Sequence, residues 1–204
     1  MTSHIRHATT RAATFVVSLI IAGCAGTSTP PPLVTPAAEA RYLVDPRAGY
    51  KATVQPSVDS TFDTAWRDFL AGDDAAARTR FADLRARNPE YTPAALALAA
   101  IDIAEKNLDS AATIVRTAEQ QVPDYTAAKV YEAEIAVARH ETQTAYDLYN
   151  ALAQEPNAPP IVAERVKSLR DQLFNELFAA AQAAQEPQAT DLLRQALAIN
   201  PGAI

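Results

Sequence analysis

The chain contains a single cysteine, Cys24, so no disulfide can close within it. Histidine is nearly as scarce: His4 and His7 sit at the extreme N-terminus, and His140 stands alone in the remainder. A metal site needs clustered histidine, cysteine or carboxylate ligands, and His140 has no such company in the sequence. The five glycines, Gly23, Gly26, Gly49, Gly72 and Gly202, are too dispersed to form a loop that cradles a phosphate. Positive charge is in the minority, with eighteen basic against twenty-four acidic residues. That balance argues against nucleic acid or an acidic lipid surface as the main partner. No apolar run reaches the ~20 residues that a membrane-crossing helix requires. Nothing in this inventory nominates a catalytic residue or a cofactor, and the chain reads as a non-enzyme.

Upstream of Cys24 there are two arginines, Arg6 and Arg11, and no acidic residue. An apolar stretch from Ala12 to Ile21 follows, interrupted only by Thr14 and Ser18, and it ends in the small residues Ala22 and Gly23. A cationic start, a short apolar middle and a small-residue end form the pattern of an export signal. Cys24 itself admits several roles. A catalytic thiol would need a base beside it, and a disulfide would have to be intermolecular. The stretch Ile21-Ala22-Gly23-Cys24 resembles the lipobox of bacterial lipoproteins: a branched aliphatic, two small residues, then cysteine. The resemblance implies that residues 1–23 are a cleaved signal peptide and that Cys24 is acylated on its sulfur and its new amino group. One acyl chain holds a protein only marginally, at ~0.8 kcal/mol per buried methylene, whereas two or three make release negligible. Ala25 follows the cysteine where, in the lipoproteins of Gram-negative bacteria that this stretch resembles, an aspartate implies retention at the inner membrane. The expected location is therefore the outer membrane, facing the periplasm. Loss of Arg6 and Arg11 with the leader brings the net charge from −6 to −8.

Residues 24–57 read as the lipidated N-terminus and a tether. "GTSTPPPLVTPAAEA" has little to bury and no helical period, a composition that stays extended. At ~3.1 Å per residue for proline-rich chain, such a tether reaches at most ~100 Å. Its later part, "RYLVDPRAGY" at 41–50, is more apolar and reads as a partly ordered linker able to dock.

Beyond residue 58 the chain turns to alanine, leucine and charged residues, and it repeats. Pro89 and Pro123, and Tyr91 and Tyr125, are each 34 residues apart. The same shift carries Ala65 onto Ala99 and Ala133, Phe69 onto Ile103 and Val137, and Ala77 onto Ala111 and Ala145. It also carries Phe81 onto Val115 and Tyr149, and Leu84 onto Ala118 and Leu152. Small, large and apolar residues at spacings of four and three mark one helix face. "LAGDDAAARTRFADLRARNP" predicts a helix ending near Ala71, a turn at Gly72-Asp73, and a second helix stopped at Asn88-Pro89. Neither helix can bury its stripe alone, so neighbours must stack. His140 shares its repeat column with Gly72 and Lys106, which makes it a turn residue.

This pattern resembles the tetratricopeptide repeat, whose 34-residue unit is a helix–turn–helix. Ala65, Ala77, Phe81, Leu84 and Pro89 fall on that family's small, small, large, apolar and proline positions, as do Ala99, Ala111, Val115, Ala118 and Pro123. In the third unit Pro156 arrives one residue early. The family's large aromatic late in the first helix is replaced by Asp68, Asp102 and Ala136. A fourth unit follows after ten extra residues that lengthen its first helix, with Phe174, Leu177, Ala189, Leu193, Ala196 and Pro201 in the repeat columns. The units are about 58–91, 92–125, 126–159 and 160–204. The implied fold is all-α, a right-handed superhelical array. "NPGAI" closes the fourth unit without a polar capping helix. Its last face is thus expected to meet a partner or a second copy, unless the chain continues beyond Ile204.

Phe62, Trp66 and Phe69 lie on one face of the first helix at spacings of four and three. The same spacing suits core packing, a surface covered by the folded-back tether, or a binding face. The family resemblance implies that first helices line a groove, where Trp66, Ala100 and Glu134 would share one column. On that basis Phe62, Trp66, Phe69, Ala100 and Glu134 are candidate contacts for a protein or peptide partner. The expected function is assembly or positioning of an envelope complex of the secretion, pilus or barrel-assembly type. Service to a peptidoglycan-acting enzyme, a weakly marked enzymatic activity of its own, or self-assembly through the uncapped end are the alternatives.

Overall fold

Residues 42–202 are described by a computed structural model, and their regular structure consists of eight α-helices with no strand among them. Cys24, the expected export signal and the expected tether as far as residue 41 lie outside the described residues. The helices are α1 (Pro56–Leu70), α2 (Asp74–Arg87), α3 (Thr92–Ala104) and α4 (Leu108–Gln121), followed by α5 (Thr126–Ala138), α6 (Thr142–Leu152), α7 (Pro160–Ala183) and α8 (Gln188–Ile199).

The 34-residue period of the sequence is a period of helix ends. α1, α3 and α5 stop at Leu70, Ala104 and Ala138, and α2, α4 and α6 start at Asp74, Leu108 and Thr142. Each stop is made by the same device. Gly72, Lys106 and His140 adopt positive φ (78°, 66° and 62°). The next N–H then donates back five residues: Asp73 to Asp68 (2.9 Å), Asn107 to Asp102 (2.7 Å) and Glu141 to Ala136 (2.9 Å). This left-handed closure satisfies carbonyls that a helix end would otherwise leave orphaned. Asp73 then caps α2, its carboxylate accepting from the Ala76 N–H at 3.1 Å. α1 begins at Pro56, two residues before the repeat column, because the proline's fixed φ suits a first helical position. α6 stops at Leu152, short of its counterparts, because the residue before Pro156 is disfavoured in helical conformation. α7 runs for 24 residues against 13 in α3 and α5, so the insertion adds about three turns, as expected.

Consecutive helices pack pairwise, and α1 meets α3 and α3 meets α5 directly. The odd-numbered helices of these pairs thus form one continuous layer. Ala77, Ala111 and Ala145 are fully buried where the two helices of a pair approach, and Phe81, Val115 and Tyr149 fill the adjacent gaps. Burying each such large side chain contributes about 1.5–3 kcal/mol. In the fourth pair the corresponding Leu193 is 37 % exposed, because among the described residues no later helix covers it. The result is an all-α helical repeat array.

Candidate functional site

The segment ahead of α1 lies on the odd-helix layer. Its conformation is encoded locally by "DPRAG". The Asp45 side chain accepts from the Arg47 N–H (2.8 Å), and the Ala48 N–H closes a turn on the Asp45 carbonyl (2.9 Å). Pro46 occupies the position where its fixed φ favours such a turn. A second turn joins the Tyr50 N–H to the Arg47 carbonyl (2.9 Å). Gly49 supplies the positive φ of 85°, and a Cβ there would come within 2.8 Å of the Thr126 backbone nitrogen. Only glycine lets the segment lie so close to the start of α5.

Long-range contacts hold this strap in place. The Tyr131 hydroxyl donates to the Val44 carbonyl (2.8 Å), the Tyr125 hydroxyl to the Pro46 carbonyl, and the Ala127 N–H to the Ala48 carbonyl (3.0 Å). Leu43 and Pro46 are buried. The Arg47 guanidinium sits 4.5 Å from the centre of the Phe62 ring and pairs with Asp63 (2.8 Å) and Asp45 (2.8 Å), with Asp59 at 3.7 Å. Tyr50 packs edge-on against Tyr91 at 5.6 Å between ring centres and tilts onto Tyr125 at 6.1 Å. At the other end, Tyr42 lies against the guanidinium of Arg165 from α7, 3.9 Å from ring centre to carbon. Nine residues thus touch α1, α5, α7 and the start of α3.

All five candidate contact residues are on odd-numbered helices, and all five are buried in this arrangement. Phe62 lies under Arg47, with Phe81 and Tyr91 edge-on at 5.1 and 5.9 Å. Trp66 stacks between Phe62 and Phe69, at 6.4 and 5.0 Å. Ala100 is fully buried in α3. Glu134 is engaged by Arg165 through two bonds (2.8 and 3.0 Å) and by the Tyr149 hydroxyl (2.7 Å). Burial raises the Tyr149 phenol well above the ordinary tyrosine range, and the Glu134 charge adds to the effect.

Sequence reading did not identify Tyr125 and Tyr131 as the strap's donors, nor Arg165. The tyrosines carry the only signal: Tyr91 and Tyr125 recur at the period, each immediately before an odd-numbered helix. Burial pushes the phenols of Tyr125 and Tyr131 upward, so both stay protonated as donors to the strap. A cavity of about 250 Å³ opens beside the strap's start, lined by Tyr42, Ile103, Lys106, Glu134, Val137 and Arg165 among others. One of the larger cavities, about 450 Å³ at α1 and α2, is rimmed by Arg80, Asp83 and Arg87 and does not involve the strap. Among the described residues no group of three or more His, Cys, Asp or Glu is placed to hold a metal ion, and no helix is long and apolar enough to cross a membrane. No protein-family model, curated protein or solved structure matches the chain.

Proposed function

We propose that this chain is a lipid-anchored protein of the bacterial cell envelope. Its tetratricopeptide-like array binds a protein or peptide segment and so helps to assemble or position an envelope complex. The observation that carries this reading is the seating of residues 42–50: three successive alternate carbonyls, at Val44, Pro46 and Ala48, are met by donors from α5 and its N-terminal junction. A helix layer that receives a peptide main chain in this way has the chemistry of a peptide-binding scaffold. The lipobox-like Ile21-Ala22-Gly23-Cys24 supplies the anchor, and the outer membrane facing the periplasm is the proposed location. Replacing Cys24 by serine tests the anchor: an unprocessed, unacylated precursor is expected, and normal processing would refute it. Affinity capture from detergent-solubilised envelope tests the scaffold, with a stoichiometric membrane-complex subunit expected. Co-purifying hydrolase or synthase activity would point instead to service of a peptidoglycan enzyme.

Exposed Leu193, Leu197 and Phe178, each 37–39 % accessible on the last helix pair, favour a second reading, self-association through that end. A purely monomeric species at high concentration would exclude it.

A further inference from the structure

Tyr91 is 5 % exposed, and its hydroxyl is buried without a hydrogen-bond partner. Tyr125, one repeat later in the same position, spends its hydroxyl on the Pro46 carbonyl. The array therefore offers the same buried donor twice and the strap answers it once. The reason is geometric: the turns at Asp45–Ala48 and Arg47–Tyr50 bring the ring of Tyr50, not a carbonyl, against Tyr91. A buried polar group left unsatisfied is costly and rare, and each calls for an explanation.

Resting on the proposed peptide-binding function, we infer that residues 42–50 are a resident ligand of the odd-helix layer, displaced by a partner segment of the same chemistry. That partner segment is a turn-forming Asp-Pro-Arg-type stretch with an apolar flank. Its arginine enters the site made by Asp59, Asp63 and the Phe62 ring, and it brings one further acceptor to Tyr91. The strap is held by three main-chain carbonyls, which any peptide can reproduce, by one cation in an acidic, aromatic site, and by the apolar burial of Leu43 and Pro46 with the rings of Tyr42 and Tyr50, which the partner's apolar flank would replace. The acceptor for Tyr91 is what a partner adds. A gained buried hydrogen bond worth about 1.4 kcal/mol shifts the exchange about tenfold. Lys51, Ala52 and Thr53 are exposed, so the strap can leave without unravelling α1.

The test uses the full chain in detergent and a fluorescent peptide with the sequence of residues 41–51. Arg47→Ala and Gly49→Ala loosen the strap in the chain. Anisotropy should show the peptide binding at least tenfold more tightly to either variant than to the unaltered chain. Adding Asp63→Asn should remove that gain. Folded variants that fail to bind the peptide would overturn the inference. So would loss of helical signal in both variants, because the segment would then be part of the fold and not a ligand. Dimers of the variants that the peptide dissolves would assign the site to a second copy of this chain, overturning a foreign partner. Envelope capture separates this inference from the function beneath it. A partner retained equally by loosened and unaltered chains overturns the inference alone. No partner with either chain overturns the scaffold function too.

Discussion

Replacing Glu134 by alanine removes the acidic member of an enclosed ion pair between α5 and α7. The Glu134 side chain is 5 % exposed and Arg165 12 %, and two bonds of 2.8 and 3.0 Å join them. The substitution leaves the guanidinium without its counter-charge and the fully buried Tyr149 hydroxyl without the acceptor it holds at 2.7 Å. Breaking a buried pair from one side costs about 3–5 kcal/mol. Arg165 keeps its place over the Tyr42 ring at 3.9 Å, which puts the expected loss in the lower half of that range. For a domain of this size each kcal/mol moves Tm by about 2–4 °C, so thermal melts followed by circular dichroism should fall by about 6–16 °C. A cycle with Arg165→Ala should return a coupling energy above about 0.5 kcal/mol, as expected for residues in direct contact. The triple change Glu134→Leu, Tyr149→Phe, Arg165→Met should recover most of the loss, because apolar side chains of similar size avoid the desolvation of charge. A Tm shift under about 2 °C for Glu134→Ala, or no coupling to Arg165, would refute the reasoning. It would also free Glu134 for the partner-facing role that its repeat column implies.

Gly72 has φ of 78° and open space where a Cβ would stand. Gly72→Ala should therefore cost only the strain of a left-handed residue, about 1–2 kcal/mol, while His140→Gly should gain up to about 1 kcal/mol by relieving it; chemical denaturation reads both. Ala111 is fully buried where α4 meets α3. Ala111→Phe should overpack the pair and cost about 1–3 kcal/mol, and an unchanged Tm would break the repeat register. Burial holds the phenols of Tyr91, Tyr125, Tyr131 and Tyr149 protonated above the ordinary tyrosine range. Their stabilisation is complete below about pH 10 and declines as pH rises from there, since the unfolded chain gives up protons that the folded chain keeps. Tm measured between pH 8 and 11 should drop steeply at the top of the range, with phenolate absorbance rising only as the helices melt. Free titration near pH 10 with the fold intact would contradict the burial.

Much of the fold is legible because its determinants are local and recur. Gly72, Lys106 and His140 mark the same turn although their side chains share nothing, since the column is set by where one helix stops and the next begins. Ala77, Ala111 and Ala145 mark the close approach for the same reason, and the ten-residue insertion reads directly as a longer α7. The strap is harder. Its turns follow from "DPRAG", but its docking depends on Tyr125 and Tyr131, 79 and 87 residues from their acceptors. No periodicity links such partners. The candidate contacts are likewise only half legible: the period places Phe62, Trp66, Phe69, Ala100 and Glu134 on odd-numbered helices. It carries no information about Arg47 descending onto Phe62, or about Arg165 of the lengthened α7 reaching Glu134.

Amide hydrogen exchange across residues 42–55 tests most directly whether the odd-helix layer holds a peptide segment. The N–H groups of Arg47, Ala48 and Tyr50 donate within the strap, and that of Ala127 donates to it, so all four should exchange far more slowly than those of exposed Lys51, Ala52 and Thr53. Exchange of residues 43–50 at the rate of 51–53, with the helices still protected, would show an empty helix layer and contradict the account.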